Sequence, residues 1–231
     1  YTLSLHDALP ISSLVPIIAE AFYMGRRREL IKRVDMAIKL SNVISLPSCL
    51  GMFFMAYPIM HLVFLRDAAG YEILKYISIC IPFIILTQTS TAILQSIGDY
   101  MKPVYNLALG CSVKVIVTYV LVSVSFMNIY GAVVGTILGY ITSCLLNMHD
   151  LKKSLNIKFN KVEAFVKPAI AAIIMIVAVV FSDAIVYNYT MSGGLSCLIS
   201  ILIGVIVYLI FIFLLRVFEY QEVKNKFLSK K

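Results

Sequence analysis

Residues 104–126 read VYNLALGCSVKVIVTYVLVSVSF, a long apolar run with a single charge, Lys114, near its centre. About 20 mostly apolar residues suffice to carry a helix across the hydrocarbon core of a bilayer. Helices suit that solvent because each backbone donor and acceptor is satisfied within the segment. Outward from this stretch lie others of the same kind, at residues 40–64, 73–97, 129–148, 166–187 and 195–217. Together they predict six full spans. Residues 13–21, SLVPIIAEA, read as the tail of a seventh. Composition agrees, with 61% hydrophobic and 14% charged residues and a mean hydropathy of +0.92. A soluble domain cannot hide that much apolar surface, so the expected class is an all-α polytopic integral membrane protein.

The formal charge of +8 does not point to nucleic acid. Its basic residues sit in short runs between apolar stretches and are not interleaved with aromatics on a polar face. Arg26, Arg27, Arg28, Lys32, Arg33 and Lys39 precede the first full span, and Lys102 separates the second and third. Lys152, Lys153, Lys158, Lys161 and Lys167 lie between the fourth and fifth; Arg216, Lys224, Lys226, Lys230 and Lys231 follow the sixth. Of the 20 Lys and Arg, only Arg66 (beside Asp67), Lys75 and Lys114 fall elsewhere. Basic loops stay in the cytoplasm, so both visible ends are expected there in a multi-pass protein of the cell membrane. Residues 26–39 carry Leu30, Ile31, Val34 and Ile38 at helical spacing among charges, which predicts a helix lying along the inner leaflet. Residues 153–165 show the pattern more weakly and also suit a solvated connector.

Polar side chains within spans face a bundle interior or a hydrated cavity. Gln88, Thr91 and Gln95 share one face of the second span, and Asp99 extends their line. Lys114, Thr118 and Ser125 form a stripe in the third, with Cys111 beside it; Thr136, Tyr140, Ser143 and Asn147 line up in the fourth. These stripes are open to two readings, hydrogen bonding between helices and lining of a cavity. Lys114 is the sharpest feature. It lies ~15 Å into its helix at 1.5 Å per residue, too deep for its ammonium to snorkel easily to water. It needs a hydrated cavity, a carboxylate or an anionic ligand, and the spans offer only Asp183, with Glu72 at a boundary. Pro47, Pro58, Pro82 and Pro103 are expected to kink or end helices. Ser200 and Gly204 form a small-xxx-small pair suited to packing, and the last two spans, lacking polar stripes, read as peripheral.

No enzyme signature is present. Cys49, Cys80, Cys111, Cys144 and Cys197 fall singly in different apolar stretches, without metal-site spacing. His61 and the pair His149-Asp150 sit at helix ends, and no Walker loop, HExxH or GxSxG occurs. No cofactor is expected, and the Asn188-Tyr189-Thr190 sequon matters only in a glycosylating compartment.

Several segments together resemble the stage V sporulation protein B branch of the polysaccharide-export and MurJ-like flippases. That group lies within the multidrug/oligosaccharidyl-lipid/polysaccharide exporter superfamily. The resemblance is carried by residues 13–21, the basic run with residues 31–40, Leu46-Pro47, Tyr57-Pro58-Ile59-Met60 and, most distinctively, residues 87–98 (TQTSTAILQSIG). Lys102-Pro103, Asn106, Val113-Lys114 and residues 130–136 (YGAVVGT) follow in order. Ser96 stands where a glycine is usual, and Ala19 where a serine is.

The resemblance implies a MATE-like fold, of which this chain would hold the C-terminal lobe plus two extra helices. The expected division is 12–24 as the end of a truncated helix, 25–39 as a basic amphipathic segment, and 40–148 as a four-helix part of the lobe. A basic loop at 149–165, two peripheral helices at 166–217 and a cytoplasmic tail at 218–231 complete it. Residues 1–12, YTLSLHDALPIS, resemble a translated sequencing adapter, so 1–11 are expected to be non-native. The implied work is flipping lipid-linked oligosaccharide or peptidoglycan precursors, for spore cortex or polysaccharide biosynthesis, with a polyprenyl diphosphate substrate. Candidate contacts are Lys114 for the diphosphate, and Gln88, Thr91, Gln95, Asn106, Thr118, Thr136, Tyr140, Ser143 and Asn147 for the rest. Two alternatives stand beside it: a cation-coupled multidrug antiporter of the same fold, and a non-transporting scaffold for cell-wall synthases.

Overall fold

The computed structural model describes residues 14–64, 70–156, 162–191 and 193–215. The expectations for residues 1–11, Arg66, Asp67, Lys158, Lys161 and the tail 218–231 lie outside those residues. Every regular element among the described residues is helical: α1 (Leu14–Tyr23), α2 (Arg27–Phe54), α3 (Ala56–Phe64), α4 (Tyr71–Ile77), α5 (Cys80–Ser96), α6 (Met101–Val122), α7 (Asn128–Leu155), α8 (Lys167–Thr190) and α9 (Gly193–Leu214). A π-helical turn, Val162–Val166, leads into α8. Among the described residues five helices are long and apolar enough to cross a membrane, or six if the bent pair α4–α5 is one span. The chain is a multi-pass membrane protein.

Two of the expected spans are broken, and a proline accounts for each break. A proline lacks the donor for the carbonyl four residues earlier and crowds it. Pro82 acts on Ser78, where α4 and α5 meet at 43°. Pro58 acts on Phe54, the last residue of α2, so the stretch 40–64 becomes the end of α2 and the whole of α3. Pro103 sits in the first turn of α6 and Pro168 in that of α8, where the missing donor costs nothing.

The inner-leaflet helix expected at residues 26–39 is not a separate element. Arg27 to Phe54 form one 28-residue helix, ~42 Å long at 1.5 Å per residue, against a hydrocarbon core of about 30 Å. Good helix formers run through the junction (Met36, Ala37, Lys39, Leu40) with no Gly or Pro to stop them. The basic turns simply continue the span.

The helices form two compact units. The first holds α1, α2 to Ser45, and α5 to α7; the second holds α2 from Leu46, α3, α4 to Lys75, α8 and α9. In the second unit α8 and α9 pack as a hairpin, with α3 against α9. Gly204 lies directly on Val179, and Ser200 is fully buried. In the first unit α7 packs against both α5 and α6, and Ser41 of α2 shares a 2.6 Å hydrogen bond with Thr89 of α5.

The α6–α7 hairpin is the tightest junction. Gly131, Gly135 and Gly139 fall every fourth residue along one face of α7, and α6 lies against their bare backbone. A Cβ at Gly139 would come within 2.8 Å of the Lys114 Cβ and 2.9 Å of the Gly110 carbonyl oxygen. One at Gly135 would overlap the Thr118 hydroxyl, and one at Gly131 would reach 2.7 Å from Leu121 carbonyl carbon. Close backbone approach through small residues is a main source of helix association in lipid. A valine at Gly139 is therefore expected to cost about 1–3 kcal/mol through overpacking. Thermal unfolding in detergent should show Gly139→Val lowering the apparent Tm, while Gly51→Ala, whose Cβ would meet nothing within 4 Å, leaves it unchanged or raises it.

Candidate functional site

Two adjoining clefts open where α5, α6 and α7 come together. The larger, about 320 Å³, is lined by Gln88, Thr91 and Gln95 of α5, Val104 and Leu107 of α6, and Tyr140 of α7. The smaller, about 70 Å³, holds Cys111 and Lys114 of α6 with Gly139, Tyr140 and Ser143 of α7. Leu107 and Tyr140 line both. Sequence spacing puts Gln88, Thr91 and Gln95 on one face; the fold turns that face towards Tyr140. Gln88, Gln95 and Lys114 are exposed, and Tyr140 is half-buried.

Lys114 follows from the glycine packing. Its Cβ rests on Gly139, so its side chain starts from the line where α6 and α7 are closest. It lies ~20 Å from the first residue of α6 and ~12 Å from the last, inside the spanning region. Among the described residues it has no ion-pair or hydrogen-bond partner, and no carboxylate lines either cleft. An unpaired ammonium at that depth calls for water or an anion.

The other polar candidates divide differently. Asn147, fully buried, donates to the Thr91 hydroxyl (2.9 Å) and the Thr87 carbonyl (3.4 Å). Buried Asn106 donates to Asn147 Oδ1 (2.9 Å) and to Asp150 (2.7 Å). Ser143 donates to the Asn106 carbonyl at 3.3 Å. Asn106, Ser143 and Asn147 thus tie α5, α6 and α7 together, and Thr91 both joins that network and lines the larger cleft. Thr136 donates to Ala132 of its own helix at 2.8 Å. The Thr118 hydroxyl is buried against Gly135 and has no hydrogen-bond partner among the described residues. The fold brings Gln88, Thr91, Gln95, Lys114, Tyr140 and Ser143 to the clefts, and keeps Asn106, Asn147, Thr118 and Thr136 out of their linings.

Two extensions of the stripes do not hold in the structure. Ser125 lies beyond Val122, where α6 ends. Asp99 does not prolong the α5 face, because Gly98 adopts φ +89° and redirects the chain. Asp99 instead accepts hydrogen bonds from Lys102 (2.5 Å) and from Ser154 of α7 (2.9 Å). Lys102 chiefly, helped by Ser154 and opposed by partial desolvation, holds the Asp99 carboxyl below its ordinary value. The Ser154 and Asp150 ties carried no short-range sequence signal. The glycine repeat did, in its spacing of four.

Residues 11–120 match the MatE family model. The chain is also 27% identical over 146 residues to the lipid II flippase MurJ of Bacillus subtilis (strain 168), covering 61% of this chain and 26% of that protein. Among solved structures, a lipid II flippase MurJ in an inward closed conformation aligns with a TM-score of 0.67 at 19% identity, over 97% of this chain and 44% of the other. The chain thus spans less than half the length of either MurJ protein, and its fold is the MurJ-like, MATE-like helical fold. The matched segment takes in α1 to α5 and most of α6, Lys114 included.

Two outcomes test this division among α5, α6 and α7. A double-mutant cycle of Asn106→Ala and Asn147→Ala, read by unfolding in detergent, is expected to give a coupling of about 0.6–1.7 kcal/mol, the range for such bonds within membranes. Thr136→Ala and Asn147→Ala should simply add. For Asp99, the folded pKa is depressed, so its contribution to stability is complete above the unfolded value and disappears as pH falls through the folded one. Lys102→Met should raise the Asp99 titration midpoint, followed by carboxyl ¹³C NMR; an unmoved midpoint would contradict the assigned cause.

Proposed function

We propose that the chain is part of a membrane transporter that flips lipid-linked oligosaccharide or peptidoglycan precursors, carried on a polyprenyl diphosphate, across the cytoplasmic membrane. The observation that carries this reading is the unpaired Lys114 ammonium beside Tyr140, next to a cleft walled by Gln88, Thr91 and Gln95. A cation within the span suits a diphosphate, and amides and hydroxyls beside it suit sugar groups. Similarity to MurJ lipid II flippases supports the same class of work. A cavity for cationic drugs would want carboxylates, and among the described residues none lines the two clefts of this unit. Spore cortex or polysaccharide synthesis is the proposed setting.

In that reading the basic ends of α2, α6 and α7 face the cytoplasm. Arg27, Arg28, Lys32 and Arg33 open α2, Lys102 opens α6, and Lys152 and Lys153 close α7. Alternating helix direction puts these ends on one side, as the positive-inside tendency requires.

The test is Lys114→Met in the intact transporter, assayed for translocation of a labelled lipid-linked precursor in vesicles. Loss of a charge-assisted contact of about 1.5–3 kcal/mol corresponds to roughly ten- to hundredfold slower flipping, with expression unchanged and Lys114→Arg retaining more activity. Flipping by Lys114→Met at the normal rate would remove Lys114 from the mechanism.

A further inference from the structure

The second unit contains a cleft that the proposed transport path does not use. It measures about 350 Å³ and is lined by Tyr57, Pro58 and His61 of α3, Asp183 and Tyr187 of α8, Met191, and Gly193 at the start of α9. Tyr57 is held edge-on by Tyr71, with ring centroids 5.4 Å apart, and lies at a tilt over His61. Tyr57 and Tyr187 nevertheless keep about half their surface open (55% and 51%).

Asp183 gives the cleft its chemistry. It stands within α8, two turns before the helix ends, in a stretch with no other charged residue between Lys167 and Thr190. A carboxylate in a spanning segment is costly unless something compensates it. Ser196 of α9 supplies part of that, donating to Asp183 Oδ1 at 2.6 Å and to its carbonyl oxygen at 2.9 Å. Among the described residues no Lys or Arg lines the cleft. Asp183 is the acidic side chain of the described lining, positioned from one side by a hydroxyl and flanked by aromatic rings.

Those features select the ligand class. An anion would meet Asp183. A bare metal ion would want several ligating side chains, and among the described residues no group of three His, Cys, Asp or Glu could hold one. The volume lies near the lower end of the ~300–1,000 Å³ typical of small-molecule sites. A carboxylate bordered by tyrosine faces is a recurring setting for ammonium groups, through ion pairing and cation–π attraction. We propose that the cleft between α3, α8 and α9 binds an ammonium group, with Asp183 as its counter-ion and Tyr57 and Tyr187 as its aromatic walls. The group belongs either to a membrane lipid head or to a small amine dissolved in water, since the cleft opens at the helix ends, where both are present.

Two arms separate these sources, both on the full chain. In detergent, ethanolamine binding is followed by saturation-transfer NMR. In nanodiscs of mixed phosphatidylethanolamine and phosphatidylglycerol with matched acyl chains, the lipid retained by the protein is counted by native mass spectrometry. The wild-type chain is expected to bind in at least one arm, and Asp183→Asn, which keeps the acceptor for Ser196, to weaken that binding at least tenfold. Binding in the ethanolamine arm alone identifies a soluble amine, and selective phosphatidylethanolamine retention alone a lipid head. Should circular dichroism show that Asp183→Asn does not fold, Tyr57→Leu at an exposed position takes its place with the same expected loss. No binding in either arm, or binding that the folded variant leaves unchanged, overturns the proposal.

Discussion

The close contact of α6 with the glycine face of α7 is the constraint on which the rest of the first unit depends. In lipid there is little hydrophobic gain from pressing two apolar helices together, so dispersion contacts at short range must supply it. Gly131, Gly135 and Gly139 permit that range, and Gly110 answers from α6. Once the two helices are locked in that register, Lys114 has nowhere to begin except over Gly139, beside Tyr140. The same register brings Asn106 to Asn147 and Ser143, so the polar ties follow from the apolar packing and then reinforce it.

This arrangement sorts the polar side chains of three helices into two kinds. Those pointing along the α5–α6–α7 junction satisfy one another, as buried polar groups in hydrocarbon must. Asn147 reaches Thr91 and Thr87, and Asn106 reaches Asp150, closing the network at the end of the hairpin. Those on the neighbouring faces, Gln88, Gln95 and Lys114, are left open to the clefts. Buried ties fix the helices, and exposed groups remain available to a ligand. Thr91 and Ser143 do both.

Much of the fold is legible in the sequence because lipid demands continuous apolar length, and residues 101–122, 128–155 and 193–214 show it plainly. Helix ends were less legible. Pro82 and Pro58 announce breaks, but their effect falls four residues upstream, where Ser78 and Phe54 carry no mark of it. The amphipathic pattern of residues 26–39 was real, yet periodicity alone cannot say whether such a segment lies flat or continues into a span; the absence of a helix stop decides it. For the site, spacing grouped Gln88, Thr91 and Gln95 correctly on one face and singled out Lys114. It could not separate Asn147 from Tyr140, seven residues away on the same helix, because only the partner helix distinguishes a tie from a wall. The Asn106–Asp150 pairing, 44 residues apart, had no local signature at all.

Gln88, Gln95 and Tyr140 are expected to face water within the membrane span, in the clefts where Lys114 stands. Single cysteines at these positions, in a chain with its five native cysteines replaced, can be probed in membranes with a water-soluble, membrane-impermeant thiol reagent. Cysteines at Val180 and Ile206, exposed apolar positions on α8 and α9, serve as lipid-facing references. Rapid labelling is predicted at positions 88, 95 and 140 from at least one side of the membrane, and very slow labelling at the references. Equally slow labelling at all five positions would contradict that expectation.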